Sequence, residues 1–353
     1  MQDILIIGGG IAGLSAAAAL AGIASVTLLE TETALGFHAS GRSAALYEPT
    51  YGPPPVRALT LASHDAYATA GLLRPRGLMI VATAAEEAPF AAETAGPEWE
   101  RITGDAARQQ VPILGPQVAM AAVSHTASDI DTDRLMQGNA AMARAAGARI
   151  VTGATVTRIA RVAGGWQVEA GGESHEAAVL VNAAGAWADR VAVVAGVAPL
   201  GLVPHRRSMA RIPAPGGHDV SGWPMLMGVN EAWYARPDAG ALIVSPADEE
   251  PVEPHDAWAD DMVLAEGLAR YEAMVTEPVT RMLSSWAGLR TFSPDRVPVI
   301  GPDAGDPAFV WFAGQGGYGF QMAPAAAALL AALVAGRAHD AALAALVAPG
   351  RFA

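Results

Sequence analysis

The feature that most constrains this chain is a strand, glycine turn, helix and strand in its opening residues, DILIIGGGIAGLSAAAALAGIASVTLLE. The apolar run at 4–7 predicts a buried parallel strand, and an alanine-rich helix follows to about residue 20. A second predicted strand at 25–29 ends in Glu30. A βαβ unit of this kind commits the start of the chain to a parallel sheet.

The glycines of this unit match G-x-G-x-x-G and favour a dinucleotide ligand. Gly8 allows the tight turn, Gly10 lets the backbone approach a pyrophosphate, and Gly13 permits close helix packing. The helix N-terminus offers amide donors and partial positive charge to that phosphate. Glu30 stands where a carboxylate accepts hydrogen bonds from ribose hydroxyls. FAD and NAD share this pattern, so the glycines leave the cofactor open.

Composition excludes several chemistries. The 353-residue chain has no cysteine, and all 22 of its basic residues are arginine because lysine is absent as well. These absences exclude disulfides, thiol nucleophiles, a flavin attached through cysteine and Schiff-base catalysis. The net charge of −13 argues against nucleic acid or an anionic membrane as partner. We expect a cytoplasmic protein without an integral membrane span, monomeric or homodimeric, that acts on a small molecule.

The remaining sequence predicts an α/β fold with two discontinuous domains. A Rossmann-like dinucleotide-binding domain is predicted from residues 1–75, 135–203 and 285–353. Residues 76–134 and 204–284 are predicted to form an α+β substrate domain with a mainly antiparallel sheet, because short strands alternate with turn signals there.

Three local patterns add detail. The loop at 46–56 contains EPTYGPPPV and is predicted to be a lid over the site. The preceding loop enters a helix whose start could be capped by Ser40 or Ser43. Residues 86–110 are predicted to be helical and exposed, and 149–159 to be one strand.

A run of alternating acids, SDIDTDRL, resembles the beginning of a calcium loop at Asp129, Asp131 and Asp133. Arg134 follows where more ligands are needed, and no glycine turn comes next. Helix capping by Asp131 or Thr132 is therefore the expected role, and no metal site is predicted.

Five separated motifs, GGGIAGLSAA, FHASGRSAA, VNAAGAWAD, WAGLR and GQGGYGFQ, occur in an order that resembles the D-amino-acid oxidase superfamily of FAD enzymes. The likeness runs over essentially the whole chain and is strongest to the FAD-dependent D-amino-acid dehydrogenases that include D-arginine dehydrogenase. The resemblance implies FAD, held noncovalently, as the cofactor. His38 is the alternative attachment point, because some relatives attach FAD through a histidine in a similar loop.

The resemblance also implies which residues meet the cofactor, from the ADP half through the adenine contact to the flavin ring. These are Gly8, Gly10, Ile11, Ala12, Gly13, Glu30, Arg42, Ser43, Ala44, Val156, Ala184, Gly185, Trp187, Gly288, Gly316, Gly317, Tyr318, Gly319, Phe320 and Gln321.

Substrate residues follow from the resemblance and from the chemistry of carboxylate binding. An amino-acid carboxylate is costly to desolvate unless it is paired, and arginine offers a bidentate fork. Arg207 and Arg290 are therefore predicted anchors, with Arg207 preferred over Arg206 because neighbours on a strand face opposite ways. Tyr51 and Tyr234 would orient the substrate rather than act as bases, since a phenol ordinarily titrates near 10.

The predicted catalytic set is completed by Gly317, and the substrate pocket by Tyr318 and Gln321. Two further pocket positions depart from the D-arginine enzyme. Leu78 stands where that enzyme has a glutamate for the guanidinium, and Leu46 where it has a histidine. Cationic substrates are therefore disfavoured. Met225, Met227 and Trp233 are possible walls for a neutral or apolar side chain.

The predicted reaction is oxidative deamination of neutral or apolar D-amino acids to 2-oxo acids and ammonia, by hydride transfer from Cα to flavin N5. The absence of lysine favours a dehydrogenase that feeds a quinone or another acceptor, because sarcosine-oxidase-like relatives activate oxygen with a lysine. The alternatives are an oxidase of glycine, sarcosine or another secondary amine, an FAD-binding protein without turnover, and an NAD-dependent enzyme.

Overall fold

The computed structural model describes residues 2–352, and only the backbone of Gln2 is considered. Met1 and Ala353, the outer ends of the predicted cofactor-binding segments, lie outside the described residues. The strands, in chain order, are β1 (Gln2–Ile7), β2 (Val26–Leu29), β3 (Leu46–Tyr47), β4 (Leu73–Pro75), β5 (Leu78–Ala82), β6 (Glu100–Thr103), β7 (Met120–Ser124), β8 (Ser128–Ile130), β9 (Arg149–Val151), β10 (Val156–Val162), β11 (Gly165–Ala170), β12 (Glu173–Asn182), β13 (Val203–Pro213), β14 (Met225–Gly228), β15 (Tyr234–Asp238), β16 (Ala241–Ser245), β17 (Glu250–Pro251), β18 (Ser284–Phe292), β19 (Val299–Pro302) and β20 (Phe309–Ala313). The helices are α1 (Ile11–Leu20), α2 (Pro54–Ala70), α3 (Glu87–Glu93), α4 (Gly104–Gln110), α5 (Thr132–Ala145), α6 (Ala188–Val194), α7 (Asp261–Glu272), α8 (Gly319–Val334) and α9 (Ala341–Val347).

The first sheet is built around the opening unit. Strands β9, β2, β1, β12 and β20 run parallel, with β10 and β11 joined antiparallel at one edge and β19 paired with β20. β1 is buried on both faces, as a parallel strand covered by helices must be. The predicted Rossmann-like sheet is therefore present.

Helices α1 and α8 pack against β1 of this sheet. Leu14 and Leu20 of α1 and Met322 and Leu330 of α8 are fully buried in one apolar cluster with Ile6 of β1. Alanines let the two helices approach closely, since small side chains keep the interhelical distance short. This packing holds the glycine turn before α1 against the start of α8.

The second sheet has nine strands in the order β17, β13, β16, β15, β14, β5, β7 and β6, with β18 paired to β13. Neighbouring strands are antiparallel except β14 and β5. The predicted mainly antiparallel sheet is confirmed. β13 and β18 pair along nine residues, from Val203 opposite Phe292 to Arg211 opposite Ser284.

A small third sheet, in the order β3, β8 and β4, lies between these layers. The chain leaves β3 at Tyr47 and enters α2 at Pro54, so the predicted lid at 46–56 comprises this strand, a six-residue connection and the first turn of α2. β18, which the sequence-based division assigns to the cofactor-binding domain, joins the second sheet. The division into domains stays a prediction.

Two local predictions are wrong. Residues 86–110 are two short helices separated by β6, because Gly96 and Pro97 interrupt the helix and β6 pairs with β7. The strand predicted at 149–159 is divided into β9 and β10, which belong to opposite edges of the first sheet. In residues 2–352, no helix is both long and apolar enough to cross a bilayer.

Candidate functional site

A single long cavity of about 710 Å³ connects the glycine turn before α1 with the faces of β13 and β18. Its walls come from both large sheets, the lid and the turn before α8. Most residues predicted from the sequence line it, from both ends of the chain. They are Gly8, Gly10, Ile11, Ala12, Glu30, Arg42, Ser43, Ala44, Leu46, Tyr51, Leu78, Val156, Ala184, Gly185, Trp187, Arg207, Tyr234, Gly288, Arg290, Gly316, Gly317, Gly319, Phe320 and Gln321.

The glycine turn has the tight geometry that its sequence predicts. Gly8 has φ +110°, a conformation that side chains rarely adopt, and a Cβ there would lie 2.8 Å from the carbonyl carbon of Ala183. A Cβ on Gly13 would overlap the carbonyl oxygen of Gly8. Gly13 therefore lies behind the turn rather than on the cavity wall, and it permits the close helix packing predicted for it.

Glu30 is held by backbone amides at the end of the cavity near β2. Its Oε2 accepts a hydrogen bond from Gly9 N at 2.5 Å, and its Oε1 accepts one from Glu32 N at 2.8 Å. A carboxylate has lone pairs for further donors, so ribose recognition by Glu30 stays a prediction.

The loop before β3 completes this end of the cavity. Ser40 Oγ accepts a hydrogen bond from Ile11 N at 2.9 Å, and Ser43 Oγ accepts one from Ala45 N. Neither serine caps the short helical turn Ala39–Arg42, so the capping interpretation is wrong. Ser40 instead satisfies the first amide of α1, a contact between distant segments that no local pattern could reveal.

Arg42 joins three segments around the middle of the cavity. Its guanidinium donates to the carbonyl oxygens of Ala257 and Ala287 at 2.7 and 3.0 Å and pairs with Asp256 at 2.5 Å. The side chain thus stabilises the wall it lines by connecting the loop to β18. Trp286 reinforces the same junction, because its Nε1 donates to Arg42 O.

Arg207 and Arg290 lie on the same face of the β13 and β18 pair. Arg207 is opposite Gly288 in the register, and Arg290 is two residues further along β18. Arg207 is 4% exposed, and its Nη2 is 3.8 Å from Glu249 Oε1. Arg206 faces the other way, where it pairs with Asp248 and Glu250. The structure therefore directs Arg207 to the cavity.

Arg290 is a partly buried cation on the wall of the cavity. Within residues 2–352 no carboxylate lies within 4 Å of its guanidinium, although Tyr51, Tyr234 and Glu231 surround it. Burial alone would lower the pKa of Arg290, but these three neighbours raise it, so the guanidinium stays charged. A cation on a cavity wall without a close counter-ion favours an anionic ligand.

Gly317 has a steric role beside this cation. A Cβ at Gly317 would lie 2.5 Å from Arg290 Cζ and 2.7 Å from its Nε. Only glycine leaves room for the guanidinium in its observed position. The carboxylates nearby respond to the same positive field, since burial would raise the pKa of Glu249 but Arg296, Arg207 and Arg290 lower it.

Two tyrosines flank the arginines. Arg207 lies over the Tyr234 ring with Cζ 6.0 Å from the centroid, and the Tyr51 hydroxyl donates to Glu231 Oε2 at 3.3 Å. Tyr318 does not line the cavity: it is buried under Tyr51 with the ring centroids 5.4 Å apart. Burial raises the pKa of Tyr318 to about 12, so its phenol is neutral.

Beyond the arginines the cavity wall is apolar. Leu46, Leu78, Met225 and Met227 line it, and Met225 pairs with Leu78 across the parallel strands β14 and β5. Trp233, a predicted wall, is buried in the core behind this surface, whereas the next residue, Tyr234, faces the cavity.

The cavity fits a dinucleotide, because glycine positions that admit no Cβ adjoin a helix N-terminus at one end and small residues line the middle. The chain also matches the FAD dependent oxidoreductase family, abbreviated DAO, over residues 3–333. The chain belongs to this family. FAD is therefore its cofactor.

Similar proteins agree with this assignment. Glycine oxidase from Geobacillus kaustophilus superposes with a TM-score of 0.81 at 23% identity, with 96% of each chain covered. L-proline dehydrogenase from P. horikoshii gives 0.83 at 21% identity, covering 99% of this chain and 97% of that one. Both likenesses concern the fold. Human mitochondrial dimethylglycine dehydrogenase is 26% identical in an alignment of 357 positions that covers 90% of this chain but only 40% of that protein.

Sequence reasoning missed several carboxylates of the cavity, among them Glu48 and Glu231. Glu48 could have been predicted, since it comes two residues after Leu46 and side chains two residues apart on an extended segment face the same way. Glu231 could not, because it is placed by a turn in which Asn230 and Glu231 both have positive φ. Asp131 caps α5 through Arg134 N as predicted, and the described residues contain no cluster of three or more potential metal ligands.

Proposed function

We propose that this oxidoreductase deaminates neutral or apolar D-amino acids to 2-oxo acids and ammonia. The observation that carries the proposal is the pair of arginines on one cavity face, Arg207 and Arg290, beside an apolar wall. A carboxylate held by the arginines would direct the rest of the amino acid along that wall. FAD, when bound, supplies the capacity to accept a hydride.

The residues of the chain have separate tasks in this proposal. Gly8, Gly10 and the amides of the first turn of α1 that follow Ile11 would hold the pyrophosphate of FAD, without a covalent attachment, since the amide of Ile11 is bound by Ser40. Arg290 and Arg207 would bind the substrate carboxylate, and Tyr51 and Tyr234 would fix its orientation. The carboxylate of Glu249 partly offsets the positive charge of Arg207.

The wall next to the arginines supports the side-chain preference. Leu78 is 5% exposed and Met225 is 8% exposed, and both belong with Tyr234 to one apolar cluster. A guanidinium or ammonium group placed against these side chains would lose its hydration without gaining a partner. The pocket therefore favours an uncharged side chain.

A substrate panel tests the proposal. Purified FAD-loaded protein is mixed anaerobically with D- and L-amino acids, and loss of the flavin absorbance is followed. We expect reduction by D-methionine or D-leucine, faster than by their L-isomers or by D-arginine. Faster reduction by the L-isomers would refute the stereochemical proposal.

A second candidate is the oxidation of glycine, sarcosine or another secondary amine. The likenesses to glycine oxidase and to dimethylglycine dehydrogenase support it. The same panel, extended to these amines, distinguishes the two, because small amines do not need the apolar wall. Comparison of oxygen uptake with dye reduction tests our proposal of a dehydrogenase, which follows from the absence of lysine.

A further inference from the structure

Glu48 is a buried acid that the proposed reaction does not use. It follows β3 directly and is 5% exposed. Side chains alternate along this segment. Leu46 and Glu48 line the cavity, whereas Tyr47 between them is buried in the core and donates its hydroxyl to Thr60 O at 3.1 Å. A carboxylate in such a position is costly unless hydrogen bonds compensate for lost hydration.

The hydrogen bonds of this carboxylate converge on one oxygen. Glu48 Oε1 accepts from Thr50 N at 3.1 Å, from Thr50 Oγ1 at 2.8 Å and from Thr126 Oγ1 at 3.3 Å. Thr50 belongs to the lid, whereas Thr126 belongs to the connection between β7 and β8. The side chain of Glu48 therefore closes the lid turn on itself and ties it to the connection between β7 and β8.

The backbone of the same residue ties the lid to α8. Glu48 N donates to Gln321 Oε1 at 3.4 Å, and Gln321 Nε2 donates to Tyr51 O at 3.3 Å. Tyr51 N in turn donates to Glu48 O at 3.1 Å. These contacts place the Tyr51 ring between Tyr318 and the arginine face, where its hydroxyl meets Glu231.

Apart from these contacts, the lid has few hydrogen bonds that restrain it. Its sequence from 48 to 56 is rich in proline, which has no amide hydrogen to donate, and Gly52 has φ +97°. Within residues 2–352, no basic side chain forms an ion pair with Glu48. The hydrogen bonds to Glu48 Oε1 are therefore the side-chain restraint that joins the lid turn to the connection between β7 and β8, and they act together with the bonds to Gln321.

We propose that Glu48 is the positioning residue of the lid and holds Tyr51 in place over the substrate carboxylate site. This inference rests on the proposed function only in assigning Tyr51 to the substrate. The hydrogen-bonded lid itself does not depend on which substrate is oxidised. Gln at this position would keep the accepting oxygen, whereas Ala would remove it.

Amide hydrogen exchange tests the restraint without turnover. Exchange of the peptide covering 46–56 is measured by mass spectrometry on the FAD-loaded protein for wild type, Glu48→Gln, Glu48→Ala and the control Glu266→Ala, an exposed acid on α7. We expect Glu48→Ala to speed exchange in 46–56 by about tenfold or more, as loss of hydrogen bonds to a charged group implies. Glu48→Gln should stay within about threefold of wild type, and Glu266→Ala should match it.

The outcome is decisive in either direction. Unchanged exchange in 46–56 for Glu48→Ala would overturn the proposal, as would an equal increase throughout the chain, which would mark a general loss of stability. If Glu48→Ala does not fold, Thr126→Val replaces it, because it removes one donor to the carboxylate at nearly constant volume. For Thr126→Val we expect a smaller increase in amide exchange, confined to 46–56. The absence of this increase would count against the proposal.

A binding measurement connects the lid to the substrate. With a substrate that reduces the flavin, Glu48→Ala should raise its dissociation constant by about tenfold or more while Glu48→Gln restores it. Failure of every amino acid and amine to reduce the flavin would refute the proposed function and leave the exchange result to decide the role of Glu48. An unchanged dissociation constant with a loosened lid would show that Glu48 does not position Tyr51 for binding.

Discussion

Removal of the Arg290 guanidinium should separate carboxylate recognition from every other part of binding. Arg290→Met keeps most of the side-chain volume and leaves β18 and Gly317 in place. Truncation of one partner of a buried charge pair costs roughly 2–5 kcal/mol. Arg207 on the same face can retain part of the attraction, so we expect the lower part of that range, about 2–3 kcal/mol. At about 1.4 kcal/mol per tenfold, the substrate dissociation constant should rise about 30- to 150-fold.

Anaerobic stopped-flow reduction gives both the dissociation constant and the limiting rate. The informative comparison is between a D-amino acid and its primary amide, which lacks the carboxylate. Wild type should prefer the acid strongly, whereas Arg290→Met should lose most of that preference. Arg206→Met is the matched control, because it removes the same charge one residue from Arg207 but on the opposite face of β13. Equal losses for acid and amide, or an equal effect of Arg206→Met, would refute the reasoning.

Four further changes test other parts of the molecule. Gly317→Ala should push the Arg290 guanidinium aside and weaken substrate binding by about tenfold or more, without loss of FAD, as measured by the same reduction assay. Gly13→Ala should prevent close packing of α1 on the turn, so the purified protein should lack the flavin spectrum. Leu78→Glu should shift the kcat/KM ratio toward D-arginine over D-leucine, since it supplies a carboxylate within an apolar wall. Burial alone would raise the pKa of Asp295, but hydrogen bonds from Arg351, Val297 and Ser293 lower it to about 2 from the ordinary 3.8. The charged form of Asp295 therefore stabilises the fold above about pH 4, and this stabilisation is lost as the pH falls through about 2. Asp295→Asn should lower the free energy of unfolding by about 1 kcal/mol at pH 7, after allowance for the partial exposure of the carboxylate. The difference between the variant and wild type should vanish at low pH.

The lid and the arginine face show which features of the site local sequence patterns can predict. Strand alternation alone established that Arg206 and Arg207 face opposite ways. It could not establish which side faces the cavity, because that depends on Asp248 and Glu250, which are distant in sequence and pair with Arg206 on the other side. Tyr318 likewise depends on tertiary packing, because its motif alone does not show that it is buried beside Tyr51 rather than on the cavity wall.

The sequence by itself determined the parallel sheet, the glycine turn and the family, because each depends on contacts within about thirty residues or on motifs that stand in a fixed order. Only the tertiary structure decided which side chains share the cavity. Ser40 meets Ile11, Arg42 meets Ala287 and Glu48 meets Thr126 across long sequence separations. Such contacts depend on how the two sheets and the lid pack together, and no periodicity in the chain encodes that packing.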